Sequence, residues 1–82
     1  MKWEEITDLH PSRFVLVEAI KASSSNRIRK IEEMAVIQDY DNPNEAWSGY
    51  KELHKLHPHR ELYIFHTSRK DVEVVEEFFK VL

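Results

Sequence analysis

Three of the five histidines in this chain fall within seven residues, H-K-L-H-P-H-R at 54–60. Such a density raises the chemistry of a metal site, since a catalytic zinc takes three protein ligands converging on one point. Pro58 works against convergence. Proline disfavours helical geometry in the residue before it, so a helix stops near His57 and His59 turns elsewhere. The plainer reading is a helix terminus. There His54, in the last turn, meets the negative end of the helix dipole and bonds free carbonyls, while His57 extends an apolar stripe toward the core. That reading is preferred.

A second constellation uses distant residues. Glu18, Glu32 and His66 share a sheet face in one strand register. Paired carboxylates with a histidine suit a hard metal ion or proton transfer. Against this, Glu18 and Lys30 neutralise each other at an exposed edge in the same register. No Gly-rich phosphate loop, HExxH or nucleophile motif is present, and the chain has one glycine. No catalytic residue is therefore assigned and no cofactor is expected. The alternative reading is a small metal-binding protein or metal-dependent enzyme using His54, His57 and His66, or Glu18 and Glu32.

Basic residues gather at Arg27, Arg29 and Lys30, and at Arg69 and Lys70. With Tyr63 and Phe65 they sketch a stacking platform for single-stranded RNA. The net charge of −3 opposes it, since nucleic-acid binders carry a basic excess. Core packing also explains the aromatics better.

The elements that must hold these residues belong to one domain of 82 residues. A chain this short buries only ~60–65% of its unfolded surface, and without cysteine neither a disulfide nor a thiolate metal site helps. Charged residues at 33% and hydrophobic ones at 41% make a globular composition. The acidic start, MKWEEITDLHP, is not expected to act as a signal peptide, and no apolar run is long enough to span a membrane as a helix. The expectation is a cytoplasmic protein.

W-E-E-I-T-D-L at 3–9 suits a short helical turn presenting Trp3, Ile6 and Leu9, ended by Pro11. F-V-L-V-E-A-I-K-A at 14–22 is apolar on both faces, as a central strand covered on both sides must be. S-S-S-N at 23–26 is turn chemistry, and 27–40 reads as the return strand. Pairing Ala22 with Ile28 places Phe14, Leu16, Ile20, Ile28, Met34 and Val36 on one face, and sets Glu18 opposite Glu32.

The clearest signal follows. Asn42 is an N-cap, Pro43 fits the first helical position, and Glu45 closes a capping box. Ala46, Tyr50, Leu53 and His57 form one helical stripe, flanked by Trp47 and His54 on one side and Leu56 on the other. Glu45, Ser48, Lys51, Glu52 and Lys55 face away. Gly49 costs this helix roughly 1 kcal/mol against alanine, which suggests either a close approach to the sheet or a partner, or simple tolerance. E-L-Y-I-F-H-T-S at 61–68 is a strand. The last segment divides: Val72, Val75, Phe79 and Leu82 make a helical stripe, yet D-V-E-V-V suits an edge strand. Helix is slightly preferred.

The expected fold is a small α+β domain, β-β-α-β, with a mainly antiparallel sheet in the order 2-1-3. One amphipathic helix covers one face, and the end is helix or strand. The other face carries Val15, Val17, Tyr63 and Phe65, and needs a cover. The N-terminal Trp3 segment, the C-terminal segment and a second subunit are the three candidates. This points to a non-enzymatic interaction module, bound to another protein or to a second copy of itself. Its contact candidates are Trp3, Tyr63, Phe65, Phe78 and Phe79.

W-E-E-I at 3–6, F-V-L-V-E-A at 14–19, Y-K-E-L-H-K at 50–55 and R-E-L-Y-I-F-H-T-S-R at 60–69 together resemble a family of small, uncharacterised bacterial proteins. The resemblance covers the chain up to Lys70, and its last motif is the most specific. It supplies no catalytic residue. Some members are encoded beside a retropepsin-like aspartic protease, so it implies an accessory or antitoxin-like partner role. Members continue past the last motif in an alternating, extended segment that ends near a tryptophan. Residues 72–82, V-E-V-V-E-E-F-F-K-V-L, contain none, although the resemblance still argues for a strand there.

Overall fold

Asn26 and Arg27 both take positive φ, 52° and 65°, and turn the chain back on itself. Left-handed backbone at both central positions is the type I′ turn, whose twist matches the strands it joins. In the computed structural model, which describes residues 1–75, these residues link β1, Phe14–Ser25, to β2, Ile28–Tyr40. Helix α1, Trp3–Leu9, precedes them. Helix α2, Pro43–Leu56, then β3, Leu62–His66, and β4, Glu73–Val75, follow. The strands form one sheet in the order β3-β1-β2-β4, antiparallel at each junction.

The α+β class is as expected, and the order 2-1-3 is contained in this sheet. β4 widens it beyond β2, and α1 adds a second helix. The helical preference for the last segment is overturned over its described part, because Glu73–Val75 pairs with Ile28–Lys30. β2 offers a row of unpaired backbone groups there, and the valines suit a pleated edge. Phe78 and Phe79, with the rest of 76–82, lie outside the described residues.

The hairpin register also differs from expectation. Ser23, Ser24 and Ser25 extend β1 instead of forming a loop, so Ser25 faces Ile28 and Ala22 faces Ile31. Two of the hydroxyls find partners across the strands: Ser23 Oγ donates to Glu32 Oε2 at 3.4 Å, and Ser24 Oγ accepts from Arg29 Nη1 at 2.9 Å. Ala22 thus pairs three residues further along β2 than expected, an odd shift that exchanges the faces of that strand. Met34 and Val36 leave the expected set with Phe14 and Leu16 and join Val15 and Val17. Glu18 faces Ala35, not Glu32. Bulges leave Ile37 and Ile20 without an opposing residue, and both side chains are exposed.

Two thin layers flank the sheet. On one face Val15, Val17, Ile31, Met34, Phe65 and Val72 pack with Trp3 and Ile6 of α1. The Trp3 indole meets Phe65 edge-on at 5.7 Å and donates from Nε1 to the Arg69 carbonyl at 2.8 Å. The Met1 amine donates to the Met34 carbonyl and the Met34 amide to the Met1 carbonyl, each at 2.8 Å, which seats α1 on the sheet. The cover for this face is therefore the N-terminal segment. On the other face Leu16 and Leu62 are buried with Ala46 of α2. Asn42 Oδ1 caps α2 by accepting from the Glu45 amide at 2.9 Å. Gly49 lies against Tyr40 of β2: an added Cβ would overlap the Tyr40 hydroxyl and stand 2.9 Å from Cζ.

Candidate interaction site

The residues singled out for metal chemistry are dispersed. His54 is exposed and stacks on Tyr50 at 5.6 Å. His57 is the C-cap of α2, as the proline predicts, with its amide on the Leu53 carbonyl at 2.8 Å. Its side chain is exposed, so it does not extend the apolar stripe. His66 Nδ1 stands 2.8 Å from Ser68 Oγ at the end of β3. Glu18 accepts from Arg60 Nη2 at 2.6 Å, and Glu32 lies 3.8 Å from Lys21 Nζ. Among the described residues, no three histidines or carboxylates come close enough to hold a metal ion.

Two polar networks brace the sheet. At the hairpin end, Arg29 forks onto Glu61 (Nε to Oε2 at 2.5 Å, Nη2 to Oε1 at 2.9 Å) and the Tyr63 hydroxyl donates to the same Oε2 at 2.6 Å. The guanidinium holds Glu61 below the usual carboxylate range, while burial and that hydrogen bond push Tyr63 up to about 12. At the opposite end, His10 Nδ1 stands 2.8 Å from Asp39 Oδ2, and Arg13 donates to Asp39 Oδ1 at 3.2 Å and to Asp41. Thr67 Oγ1 ties this turn to β3, donating to the His10 carbonyl at 2.7 Å and accepting the Arg13 amide at 3.0 Å. These side chains satisfy one another and the backbone.

The second network predicts an acid response. Hydrogen bonds from His10 and then Arg13 lower the Asp39 pKa. The folded state thus holds the proton less tightly than the unfolded one. The contribution is complete above the ordinary aspartate pKa of about 3.9 and is lost as pH falls through the lowered folded value. Urea midpoints from neutral pH to about pH 3 should therefore fall less for Asp39→Asn than for the natural chain. Parallel curves would remove Asp39 from the acid response.

The edge of the sheet differs from its faces. The Ala19 amide donates to the Glu61 carbonyl and the Thr67 amide to the Arg13 carbonyl, both at 2.9 Å. Bonded pairs alternate along an antiparallel ladder. Tyr63 and Phe65 therefore turn their backbone groups to β1, and Leu62, Ile64 and His66 turn theirs outward. β3 ends the sheet, and among the described residues these outward amides meet no backbone acceptor. The His66 carbonyl alone takes the Arg69 amide, at 3.1 Å.

The other borders carry guards among the described residues. The β1 arm past Ala19 has the Ile20 bulge, Lys21 and three serines, and β2 is met by β4 at Ile28–Lys30 and by Met1 at Met34. β4, the other outer strand, is three residues long with Glu73 among them. Bulges, lysines and covering strands are the usual guards against edge pairing. L-Y-I-F-H has no lysine, arginine or acidic residue, no proline and no bulge.

Helix α2 adds a wall beside this edge. Trp47 stacks on Tyr50 at 5.2 Å and 9°, and Tyr50 on His54 at 5.6 Å and 5°. Helical spacings of three and four residues build that ladder. Lys51 lies 5.6 Å from the Trp47 ring, which remains 52% exposed. Trp47, Tyr50, Leu62, Tyr63 and Ile64 line a groove of about 340 Å³ between helix and strand.

The expected contact residues are distributed differently. Trp3 and Phe65, 7% and 4% exposed, are core residues that cover one another. Tyr63 is half-buried at the groove, and Phe78 and Phe79 lie outside the described residues. Sequence reasoning passed over Trp47 and Ile64. The signal was available in a strand without lysine, arginine or acidic residues, following a helix whose tryptophan sits off its buried stripe. The chain matches no protein-family model, no curated protein and no solved structure. No helix among the described residues is long and apolar enough to cross a membrane.

Proposed function

We propose that this protein is a non-enzymatic interaction module that receives an extended chain as a further strand on the open edge of β3. The observation that carries this reading is the undefended row of outward backbone groups at Leu62, Ile64 and His66, lying beside a half-exposed tryptophan. Strand addition draws affinity from main-chain hydrogen bonds and selectivity from pockets for alternate side chains. Trp47 and Tyr50 supply such a pocket for an apolar residue. Aromatic anchors of this kind dominate binding energy at interfaces.

The test is selection of extended peptides from a displayed random library, followed by amide chemical-shift mapping. Shifts are expected at Leu62, Ile64 and His66 and at the Trp47 indole. Trp47→Ala should weaken the selected peptides by about 30-fold or more, the effect of losing a hot-spot ring, with little change in stability because the ring is largely solvated. Shifts confined to other surfaces, or affinity indifferent to Trp47→Ala, would overturn the reading.

A further inference from the structure

Building on the strand-addition reading, we infer that the occupant of the β3 edge is β3 of a second copy of this chain, running antiparallel about a two-fold axis at Ile64. The register follows from which groups face out. A two-fold at Ile64 sets Ile64 against Ile64 of the second copy and Leu62 against its His66. All of these are outward-turned residues, so the new hydrogen bonds use the amides that lack a backbone acceptor in one copy. The contact is isologous and closes after two chains.

The strand matches itself about that axis. On the α2 side, the central isoleucines meet, with Leu62 beside the imidazole of the second copy. On the other side, Tyr63 comes opposite Phe65 of the second copy. Each copy already stacks Tyr63 on Phe65 at 5.6 Å and 19°, so pairing continues a run of rings across the axis. Aromatic cross-strand pairs are among the more favourable ones in sheets.

Charge agrees with the antiparallel direction, although Arg29 already holds Glu61 within each copy. The five residues of β3 include no lysine, arginine, aspartate or glutamate, with Glu61 before them and Arg69 after Thr67 and Ser68. Antiparallel pairing makes Glu61 a diagonal neighbour of Arg69 in the second copy, twice per dimer. Parallel pairing would lay Glu61 beside Glu61 and Arg69 beside Arg69. Arg69 lies over Phe65 at 5.1 Å, on the same face as Glu61 and Tyr63. Nothing in β3 is built to read a foreign charged sequence. Its aliphatic and aromatic surfaces are those the strand itself supplies.

The test is sedimentation of the full chain from low micromolar to submillimolar concentration, beside Ile64→Pro. That proline removes an outward amide hydrogen no internal bond uses, and prolines are tolerated on such edges. The natural chain should dimerise reversibly, and Ile64→Pro should weaken the dimer about tenfold or more at unchanged circular dichroism. If Ile64→Pro does not fold, Ile64→Cys serves instead. The chain has no other cysteine, so mild oxidation should link it into a covalent dimer, whereas Ser48→Cys on the exposed face of α2 should stay monomeric. A chain monomeric at all concentrations overturns the second copy, as does a dimer indifferent to both residue-64 variants. Displayed peptides then separate the two ideas. Peptides that still shift the β3 amides leave strand addition standing and remove only the second copy; peptides that shift none remove both.

Discussion

Replacing Trp3 with alanine should cost about 3–5 kcal/mol of stability, the range for emptying a buried aromatic site. A domain of this size holds only roughly 4–12 kcal/mol in all, so the variant sits near its unfolding threshold. The effect is large because Trp3 and Ile6 are the whole buried face of α1. A helix of seven residues has no stability of its own in water and exists only through what it covers. Removing the indole also strands the Arg69 carbonyl, which accepts its Nε1 proton at 2.8 Å. Urea unfolding followed by circular dichroism should show the lost midpoint, and a hydrophobic dye should begin to bind at the uncovered Val15 and Val17. Trp3→Phe should keep most of the packing and lose about 1 kcal/mol with the hydrogen bond. A loss below about 1 kcal/mol for Trp3→Ala would mean that α1 does not close this face.

Gly49→Ala should destabilise, against the rule for glycines inside helices. Helix propensity alone favours the alanine by roughly 1 kcal/mol. Here the new methyl overlaps the Tyr40 hydroxyl and stands 2.9 Å from Cζ, so the ring must leave its place between β2 and α2. Overpacking of this kind costs about 1–3 kcal/mol and outweighs the propensity gain. The sign should reverse once the ring is gone: in a Tyr40→Ala background, Gly49→Ala should stabilise by about 1 kcal/mol. A double-mutant cycle on urea midpoints measures the coupling directly. The same gain in both backgrounds would mean that Gly49 is merely tolerated.

What the sequence revealed, and what it hid, divides along physical lines. Helix α2 was legible because its signals are local: Asn42 as a cap, Pro43 at the first turn, and an apolar stripe. Gly49 was only half legible: a glycine in an otherwise good helix means either something close to it or simple tolerance, and the Tyr40 ring decides for the first. The hairpin register was not legible. Three serines before an asparagine look like a loop, and nothing local says that the first two will pair with Glu32 and Arg29 across the strands. The resulting odd shift, added to two isoleucine bulges, moved Met34 to the other face and separated Glu18 from Glu32. The candidate site was hidden for a related reason. The rings Trp3 and Phe65 draw attention as residues, yet they are spent on each other. The expected order already put β3 at a border, but which of its residues turn outward depends on the β1–β3 register, and Ile64 and Trp47 gain their meaning only when that register and the groove between them are seen.

That placement has a consequence for how the chain assembles. A two-residue turn lets β1 and β2 find each other within microseconds, because the loop to be closed is short. β3 must wait for α2 to form, and the Trp3 contact that locks it spans 66 residues. The chain therefore folds outward from its centre, and each arriving strand covers one exposed border by presenting another. β1 shows its bare side until β3 arrives, and β3 then inherits that role without ending it. A newly folded copy and a folding one thus display the same kind of border. During synthesis at high local concentration, a neighbour's β3 competes with the chain's own for the side of β1, so that exchange of this strand between copies is the misassembly to which this fold is most exposed.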